Sequence, residues 1–550
     1  MTDRTNTIRA ADHLVDQLVA QGIDAVFGVP GESYLPVLDA FYGREDTIRF
    51  ITCRHESGAA MAADAHARLT GRPGVCFVTR GPGATNASAG VHIAYQDSTP
   101  LVLFIGQVAR SMVEREAFQE IDYRRMYGQM AKWVAEIDDP TRLQEYVSRA
   151  FRTALSGRPG PVVLSLPEDM LYDQIAQPAP PAKAETPRFL PAASQMEDLR
   201  SRIANAQHPL ILAGGGGWTA TGIAALQSFA ETQGLPVAVS LRCQSLINNE
   251  HPNYVGHFGI GPTPYLAEAL NQTDLLIAIG PRLGEMTTGG YTLLEPPVPH
   301  VDLVHVFPSG EELGRVYEPA LSLVSDTESF CRDISNWAPI DPDRFNPRTT
   351  QLRKSYEAFH APSSVPDDPV APMFAHLAET LPADTIMCNG AGNYAAWLHR
   401  FYSYRAPGSQ LAPTSGSMGY GLPAAVGAGI AAPEREIFAI AGDGCFLMTG
   451  QEMATAVHHD LNLTVIVFNN HRYGTIRAHQ EREFPDRISG TDLTNPDFCA
   501  LARSFGATAF SANDLASFKD AVVSARATTG VSLIEVQTDP KLISPGKWLT

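Results

Sequence analysis

The feature that most restricts the fold of this chain is a set of continuous apolar runs, each followed by a glycine-rich turn and an alanine-rich segment. Examples are VCFVTRGPGATNAS in the first part of the chain, HPLILAGGGG in the middle and EIFAIAGDG in the last part. Strands that are apolar at every position are buried on both faces, as in parallel sheets covered by helices. The sequence therefore predicts an α/β fold of doubly wound parallel sheets, whose ligands gather at the carboxyl ends of the strands.

Two proline-rich passages divide the chain into three blocks of similar size. The first is QPAPPAKAETPRFLP at 177–191, and the second runs with interruptions from 337 to 372. Because proline lacks a backbone N–H, we expect neither passage to form regular helix or central strand. A length of 550 residues suits three domains at roughly 100 to 200 residues each. We predict domains at 1–178, 190–340 and 365–550.

Charge and cysteine content exclude several classes of function. The formal net charge is −18 and no basic run is present, which argues against nucleic-acid binding. Apolar runs such as LVLFIG and TVIVF have strand length, far short of a membrane span. The seven cysteines form no CxxC pair, and the start MTDRTNTIRAADHL lacks the apolar core of a signal peptide. We predict a cytoplasmic protein that binds neither nucleic acid nor membrane.

Polar residues follow two successive strands of the last block. Asp443 lies between two glycines after EIFAIAG, and LTVIVFNN ends at Asn470. A carboxylate, an amide oxygen and a loop carbonyl are hard oxygen ligands that suit Mg²⁺ shared with a diphosphate. Gly444 and Gly474 would let backbone N–H groups approach the phosphates. Each motif alone fits a tight turn, but the pair at this spacing favours a metal–diphosphate site.

These motifs and others in the same order resemble those of the thiamine diphosphate (ThDP)-dependent enzymes, and are most similar to those of acetolactate (acetohydroxyacid) synthases. They are GVPG at 28–31, RHE at 54–56, TRGPGATN at 79–86, AFQE at 117–120, SGSMGYGLPAA at 415–425 and the GDG-to-NN span at 442–470. The resemblance covers essentially the whole chain. It implies a pyrimidine-binding first domain, a central Rossmann-like domain and a diphosphate-binding last domain, with ThDP and Mg²⁺ as cofactors.

The resemblance also implies which residues hold the cofactor and the metal. The metal ligands would be Asp443, Asn470 and the backbone carbonyl of Arg472. The residues matched to cofactor binding are Pro30, Gly31, Glu56, Thr79, Gly81, Asn86, Gly392, Asn393, Gly416, Met418, Gly442, Gly444, Cys445, Asn470, Tyr473, Gly474 and Thr475.

Three of these positions have a particular task in the family. Glu56 matches the glutamate that hydrogen-bonds N1′ of the aminopyrimidine, so that the 4′-amino group becomes a base for the thiazolium C2 proton. The small residues after it would bury it partly, which favours its protonated form. Met418 matches the residue beneath the bent cofactor, and the carbonyl of Gly416 matches the acceptor of the 4′-amino group. Taken alone, Glu56 also fits a solvated helix start and Met418 fits ordinary core.

The reaction that the resemblance implies is decarboxylation of a 2-oxo acid with carboligation of the enamine to a second carbonyl compound. Phe118 and Gln119 in AFQE match the synthases, whose glutamine borders the substrate. Glu32 departs from them, because synthases usually have glycine there and pyruvate decarboxylases have an aspartate that handles protons. Glu32 is therefore either a proton donor and acceptor or a surface residue in a turn. We predict Glu32, Phe118 and Gln119 as substrate contacts, with Glu32, Gln119, Glu56 and His479 as catalytic candidates.

A second departure lies in NNHRYGTIRAHQERE. Aligned through the two asparagines and Gly474, His479 falls where acetolactate synthases place a substrate-sensing tryptophan. A histidine there is either an acid or base near neutral pH or a hydrogen-bonding partner within a loop. The arginines nearby either attract a carboxylate substrate or form a solvated helix face. They are Arg472, Arg477, Arg482 and Arg487.

The middle block gives the weakest signal for a ligand. AGGGGWTATG is a degenerate GxGxxG, and the strand PVAVS that follows ends without an acidic residue, so NAD binding is disfavoured. The resemblance would place FAD in this domain. However, GPRLGEMTTG keeps Arg282 but has Leu283-Gly284 in place of the family's acidic pair, and Phe307 stands where an aspartate is usual. The alternative is a nucleotide-type domain without a ligand.

Other activities remain open at this stage. One is a 2-oxo acid decarboxylase that does not ligate and uses Glu32 and His479 for proton transfer. Another is a 2-hydroxyacyl-CoA lyase, which uses a similar frame in some members of the superfamily. The class furthest from these is a non-catalytic regulatory relative, against which Glu56 and the two metal ligands speak. The resemblance further implies a homodimer or homotetramer whose active site lies at the subunit interface.

Overall fold

The computed structural model describes residues 7–261 and 263–549, and within these ranges it contains three parallel sheets of six strands flanked by helices. The predicted α/β fold with three doubly wound parallel sheets is thereby confirmed. The exact boundaries 1–178, 190–340 and 365–550 stay predictions, and their outer ends at 1–6 and Thr550 lie outside the described residues. In the part of the chain that the structure describes, no helix is both long and apolar enough to span a bilayer.

The first sheet contains the apolar runs of the first block. The strands here are β1 (Thr7–Arg9), β2 (Ala25–Gly28), β3 (Arg49–Thr52), β4 (Gly74–Val78), β5 (Leu101–Gln107), β6 (Trp133–Glu136), β7 (Pro161–Pro167) and β8 (Gln174–Ala176). The helices are α1 (Ala10–Ala20), α2 (Leu35–Phe41), α3 (Glu56–Thr70), α4 (Gly81–Asp97), α5 (Tyr123–Tyr127) and α6 (Leu143–Leu155). The sheet order is β3-β2-β4-β5-β7-β6, and β1 pairs antiparallel with β8. Every residue of β4, β5 and β7 is buried, as expected for strands covered on both faces.

The central sheet has the strand order of dinucleotide-binding folds. Its strands are β9 (Pro209–Ala213), β10 (Val237–Val239), β11 (Tyr254–His257), β12 (Leu275–Ile279), β13 (Asp302–Phe307) and β14 (Leu321–Val324). The helices are α7 (Ala193–Asn205), α8 (Ala220–Gln233), α9 (Pro264–Asn271), α10 (Thr327–Ile334) and α11 (Pro342–His360). The order β11-β10-β9-β12-β13-β14 is that of the Rossmann fold.

The third sheet repeats the topology of the first. Its strands are β15 (Ile386–Asn389), β16 (Gln410–Leu411), β17 (Ile437–Gly442), β18 (Leu463–Asn469), β19 (Thr508–Ala512) and β20 (Val531–Gln537), followed by the hairpin β21 (Leu542–Ser544) and β22 (Lys547–Trp548). The helices are α12 (Ala371–Thr380), α13 (Tyr394–Phe401), α14 (Gly421–Ala431), α15 (Asp443–Phe446), α16 (Glu452–His458), α17 (Gly474–Glu483), α18 (Phe498–Ser504) and α19 (Leu515–Arg526). The order is β16-β15-β17-β18-β20-β19, which matches the first sheet strand for strand.

The second proline-rich passage is not irregular throughout, so that expectation is wrong for α11. Pro342 opens this helix, where a missing N–H costs nothing, and Pro347 follows soon after the first turn. The buried residues Phe345, Thr349 and Tyr356 recur at helical spacing and anchor the segment against the central domain. Burial of this face outweighs the proline penalty. The first passage, 177–191, contains no regular helix or strand.

Helix α3 lies at the contact between the first and third domains, where it packs against α4 and α14. A Cβ atom added at Gly90 would lie 2.4 Å from Ala60 Cβ, and one added at Gly427 would lie 2.2 Å from the carbonyl oxygen of Ala62. The three helices therefore approach at backbone distance. This contact explains why α3 is rich in alanine and buried along most of its length.

The central domain also contacts the third domain directly. The Arg242 guanidinium donates to the carbonyl of Pro413, and the backbone N–H of Gln244 donates to Gln410 Oε1 at 2.8 Å. Gln244 Nε2 donates in addition to the carbonyl of His399 at 2.8 Å. These bonds support the segment that leads from β16 to α14.

Candidate active site

The predicted site residues follow strands at the switch points of the first and third sheets. In both sheets the chain leaves its first strand to one side, returns, and continues on the other side. Ligands of open α/β sheets bind in the crevice that forms there, at the carboxyl ends of the strands. In the first sheet the loops after β2 and β4 hold 30–32 and 79–81. In the third sheet the loops after β15 and β17 hold 390–393 and 442–444.

The residues of the first sheet form one contiguous group around Glu56. Glu56 is the first residue of α3, and Asn86 Nδ2 donates to its Oε2 atom at 2.9 Å. A Cβ at Gly83 would lie 2.8 Å from Thr79 Cγ2 and 3.3 Å from Glu56 Oε1, and a Cβ at Gly31 would lie 2.5 Å from Thr79 Cβ. The group is tightly packed on its inner side. Its outer side is open, because Asn86 is exposed and Glu56 is only half-buried.

Glu32 lies at the rim of this group. It begins a short 3₁₀ turn, Glu32–Tyr34, and is exposed together with Pro30. The next residue, Ser33, is buried with its hydroxyl 2.9 Å from Thr79 Oγ1, which fixes the turn to the β4 loop. Among the described residues no side chain or backbone group donates a hydrogen bond to the Glu32 carboxylate. The oxygen atoms of this carboxylate face solvent.

The AFQE loop lies against the same group. The N–H of Gly81 donates to the backbone carbonyl of Gln119 at 3.0 Å, and Gln119 has a positive φ of 66°. Phe118 is 75% exposed, with the buried Arg80 guanidinium 5.9 Å from its ring centroid. The Glu120 carboxylate accepts N–H bonds from two earlier residues of the loop and so holds its shape. The structure therefore brings Phe118 and Gln119 beside the Glu56 group.

The predicted metal ligands lie at the ends of two adjacent strands. Asp443 follows β17 and Asn470 follows β18, and these strands pair in parallel. Asp443 is only 2% exposed; its Oδ1 accepts the Gly444 N–H at 2.9 Å and its Oδ2 accepts Asn495 Nδ2 at 2.7 Å. Burial raises the pKa of Asp443, whereas the Asn495 amide lowers it. Asn470 Oδ1 accepts the Arg472 N–H at 3.2 Å, which fixes the turn after β18.

Two residues that the sequence did not indicate support Asp443 from behind. Asn495 Nδ2 also donates to Asn469 Oδ1 at 2.8 Å, and Asn469 Nδ2 donates to Glu535 Oε1 at 2.8 Å. The chain of bonds from Glu535 to Asp443 orients the buried carboxylate. Asn495 comes from a loop 52 residues beyond Asp443, so no local motif marked it.

The glycines predicted to cradle a diphosphate leave no room for side chains. A Cβ at Gly444 would lie 2.5 Å from Tyr473 Cε1, and one at Gly474 would lie 2.6 Å from the Asn393 amide. Gly444 therefore packs against Tyr473, and Gly474 packs against Asn393. The remaining members of this group lie in the same loops, and they are Gly392, Gly442, Cys445 and Thr475.

Met418 and Gly416 lie on the segment before α14. Met418 is half-buried and packs against the core shared by the first and third domains, while Gly416 is exposed with φ of 68°. Cys445 links this segment to α15, because its Sγ accepts the Gly419 N–H at 3.2 Å. Burial raises the pKa of the Cys445 thiol, which keeps it a neutral packing group.

The two groups of predicted residues are not joined by hydrogen bonds within the described part of the chain. No hydrogen bond between described side chains joins Glu56 or Asn86 to Asp443, Asn470 or Met418. Apolar side chains next to both groups are exposed, among them Phe118, Leu447, Met448 and Ile476. Each group thus presents an open surface beside its polar residues.

His479 is exposed on α17, and its Nδ1 lies 2.7 Å from Arg482 Nη2. Arg477 pairs with Glu481 at 2.8 Å and Arg482 pairs with Glu483 at 2.8 Å. Two of the four arginines predicted to attract a carboxylate, Arg477 and Arg482, are therefore paired within α17, and Arg472, which precedes that helix, lies 3.9 Å from the Asp492 carboxylate. The geometry favours the solvated helix face over a preformed anion site.

Comparison with known proteins assigns the family. Three family models match in order: the N-terminal TPP binding domain of thiamine pyrophosphate enzymes at 8–126, their central domain at 196–334 and their C-terminal TPP binding domain at 390–536. The large subunit of acetolactate synthase isozyme 2 from Escherichia coli K12 is 33% identical over 502 residues, which cover 91% of this chain and 90% of that protein. This chain belongs to the thiamine diphosphate enzymes.

Other members of the family are similar over comparable lengths. The probable acetolactate synthase large subunit of Methanocaldococcus jannaschii is 32% identical over 99% of this chain and 95% of its own length. The large subunit from Corynebacterium glutamicum is 32% identical over 91% of this chain and 82% of its own length. The resemblance to ThDP enzymes and the prediction of a ThDP-dependent enzyme are confirmed.

The residues at the third sheet fit the diphosphate end of this cofactor and a divalent cation. Asp443 is a buried carboxylate, and carboxylate, amide and carbonyl oxygens are the donor types that Mg²⁺ takes. Gly444 lies at the start of α15 and Gly474 at the start of α17, where the first backbone N–H groups of a helix suit phosphate oxygens. The residues around Glu56 offer a matching polar group for a heterocycle.

The residues of the central domain fit FAD less well than the residues of the third sheet fit the diphosphate of ThDP. Arg282 Nε lies 3.6 Å from the carboxylate of Glu312, which is 7% exposed. Phe307 is 3% exposed at the end of β13 and offers no polar group. A Cβ at Gly216 would lie 3.0 Å from the carbonyl of Ser98, so the glycine-rich loop packs on the first domain. Arg282, which the resemblance would place toward FAD, is thus paired with a buried acid.

Proposed function

We propose that the protein catalyses the ThDP- and Mg²⁺-dependent decarboxylation of a 2-oxo acid and joins the remaining fragment to a second carbonyl compound. Its similarity to proteins named acetolactate synthase supports this proposal. The observation that carries the proposal is the AFQE loop, which packs through Gln119 on Gly81 beside Glu56. The bound cofactor supplies the electron sink for the pair released with CO₂. The protein residues bind, orient and exchange protons.

Asp443, Asn470 and the carbonyl of Arg472 would hold Mg²⁺ against the diphosphate. The buried Asp443 supplies the charge, and Asn495 keeps its carboxylate oriented. Gly442, Gly444, Cys445, Tyr473, Gly474 and Thr475, with Gly392 and Asn393, form the surrounding cradle.

Glu56 would hydrogen-bond the aminopyrimidine ring and shift its proton equilibrium. Asn86 Nδ2 donates a hydrogen bond to Glu56 Oε2, which leaves Oε1 for the aminopyrimidine ring. Pro30, Gly31, Thr79 and Gly81 line the same group of loops. Gly416 and Met418 would support the cofactor from the third domain. Exchange of the cofactor C2 proton measures this step without any substrate, and Glu56→Gln should slow it by about 10²-fold or more.

The substrate would lie between the exposed residues Phe118 and Glu32. Phe118 offers an apolar face for the alkyl part of an acid, and Gln119 offers an amide for its oxygen atoms. The Glu32 carboxylate faces solvent at the rim, a position from which it can accept or donate a proton. The second candidate function rests on this residue, and it is a decarboxylase that protonates the fragment instead of ligating it. His479 supports that alternative less, because it lies beside Arg482.

We propose further that the working unit is a homodimer or homotetramer in which the Glu56 group of one subunit faces the Asp443 group of another. The exposed apolar residues beside both groups support this arrangement, since such surfaces are usually covered by a partner. The seven free cysteines suit the reducing cytoplasm that the sequence predicts.

Proton NMR of the products from pyruvate, with ThDP, Mg²⁺ and an added aldehyde, tests the reaction. A hydroxy ketone or acetolactate would support carboligation. Acetaldehyde as the sole product would contradict carboligation and support the non-ligating decarboxylase instead. Unchanged pyruvate together with bound ThDP would direct the test to bulkier 2-oxo acids and to 2-hydroxyacyl-CoA thioesters. Flavin released by heating the purified protein would show that FAD binds, and we expect none.

A further inference from the structure

A buried carboxylate reaches from the third domain to the start of helix α3. Glu452 is the first residue of α16 and is 1% exposed. Its Oε1 accepts the backbone N–H of His55 at 2.9 Å, and both of its oxygens lie 3.2 Å from the backbone nitrogen of Arg54. Arg54 and His55 directly precede Glu56 in the chain. The contact therefore joins two domains at the residue that begins α3.

One further contact holds this carboxylate, and another holds the start of α3. The hydroxyl of Thr455 donates to Glu452 Oε2 at 2.6 Å. His55 in turn caps α3, because its Nδ1 accepts the Ser57 N–H at 3.2 Å. A carboxylate only accepts hydrogen bonds, so it matches a set of donors that an amide would match in part. The first turn of α3 is thus held from outside its own domain.

Gly58 gives a second, independent sign of the same contact. A Cβ atom at this position would lie 2.5 Å from Glu452 Oε1, 2.7 Å from its Cδ and 2.8 Å from its Cγ. No other side chain fits at position 58 while Glu452 keeps its hydrogen bonds. The small residue inside α3 leaves the space that the carboxylate fills.

We propose that Glu452 is a positioning residue for Glu56. By fixing the backbone of Arg54 and His55, it fixes the origin of the first helical turn and hence the place from which the Glu56 carboxyl reaches the cofactor. Helix ends fray when their first N–H groups lack partners, and small displacements of a reacting group cost much rate. The inference rests on the proposed role of Glu56, and the experiment separates the two.

The experiment uses Glu452→Gln and Gly58→Ala, which disturb the contact from its two sides. The glutamine keeps the volume of the side chain, so the protein should still fold, but its NH₂ group cannot accept hydrogen bonds from Arg54 and Thr455 as Oε2 does. The control is Asp274→Asn, since Asp274 likewise accepts two successive backbone N–H groups, those of Gln207 at 2.6 Å and His208 at 2.8 Å, but lies in the central domain. Each variant is prepared as the full chain.

Three quantities are measured: backbone deuterium exchange of Arg54 and His55 in the cofactor-free protein, the Kd of ThDP with Mg²⁺, and the rate of C2 proton exchange of bound ThDP. Both test variants should expose the two amides and slow C2 exchange by about 10-fold to 100-fold, with the Kd changed less than about threefold. Asp274→Asn should change none of these quantities.

The outcomes distinguish this inference from the proposed function. If Glu56→Gln slows C2 exchange but Glu452→Gln and Gly58→Ala do not, the positioning role is wrong even if the two amides become exposed. If Glu56→Gln leaves C2 exchange unchanged, the role of Glu56 is wrong and the positioning role is overturned with it. Slowed C2 exchange together with a Kd raised in proportion would also overturn it, because the defect would then be loss of binding.

Discussion

The hydroxyl of Tyr420 donates a 2.6 Å hydrogen bond to the carboxylate of Asp64, and so ties the segment that carries Met418 to the middle of helix α3. Asp64 is fully buried, and its other oxygen has no hydrogen-bond partner among the described residues. Arg68 supplies positive charge nearby, and its guanidinium also donates to the carbonyl of Ala412 at 3.0 Å. The pair lies inside the contact between the first and third domains.

Asp64→Asn should stabilise the protein at neutral pH. Burial raises the pKa of Asp64 to about 6 from 3.8, so the folded protein retains a proton that the unfolded chain releases. Stability therefore falls as pH rises from about 4 to about 6, and the cost stays above that range. The asparagine removes about 2–3 kcal/mol of this cost. The melting temperatures of the unmodified protein and Asp64→Asn should differ more at pH 8 than at pH 4.5. Tyr420→Phe, which removes the hydrogen-bond donor, should lower stability at pH 8. An equal difference at both pH values would contradict the prediction.

Asp443→Asn should weaken cofactor binding through the metal. The variant loses the only buried charge among the proposed ligands, and we expect ThDP affinity at fixed Mg²⁺ to fall by more than about tenfold. Asn495→Ala should weaken it by about tenfold, because Asp443 loses its orienting amide. Calorimetric titration of chelator-treated protein measures both. Asp497→Asn, on the same loop but capping α18, is the control and should bind ThDP normally.

Gly444→Ala should impair cofactor binding, whereas Gly284→Ala should not. The added methyl group at 444 would lie 2.5 Å from Tyr473 and displace the loop that faces the phosphates, while nothing lies within 4 Å at 284. The same calorimetric titration compares the two alanines. Equal affinities would show that the Tyr473 contact does not shape the site.

His257→Gln should make the protein less sensitive to acid. Burial lowers the pKa of His257 to about 4 from 6.5, and it also lowers the pKa values of its neighbours His360 and His399. Since the unfolded chain binds these protons first, stability is full above pH 6.5 and falls as pH drops toward 4. Glutamine does not titrate, so the melting temperature of the variant should fall less between pH 7 and pH 5 than that of the unmodified protein. A parallel fall in both proteins would count against His257.

The parts of the site that could be predicted are those that depend on neighbouring strands. Asp443 and Asn470 end consecutive strands, and consecutive strands of a parallel sheet usually pair, so their proximity follows from the chain order. Asn495 and Glu452 could not be found in this way. Asn495 reaches Asp443 from an irregular loop, and Glu452 meets His55 across 397 residues and a domain boundary. Such contacts depend on the packing of whole domains and leave no spacing in the sequence.

Helix α11 shows how a local rule failed. Its prolines predicted an irregular linker, but the apolar residues Phe345 and Tyr356 lie on one face and bury it. Pro342 costs little because it lies at the helix start, whereas Pro347 lies inside the helix and burial of the apolar face outweighs its cost. The energy of the buried face depends on a partner that the sequence does not show.

The bonds from Arg242 and Gln244 to the third domain give the central domain a use that is independent of any nucleotide. Through Arg242 and Pro413, the central domain supports the segment that holds Met418. Loss of these bonds would therefore loosen the third domain without changing any residue of the candidate site.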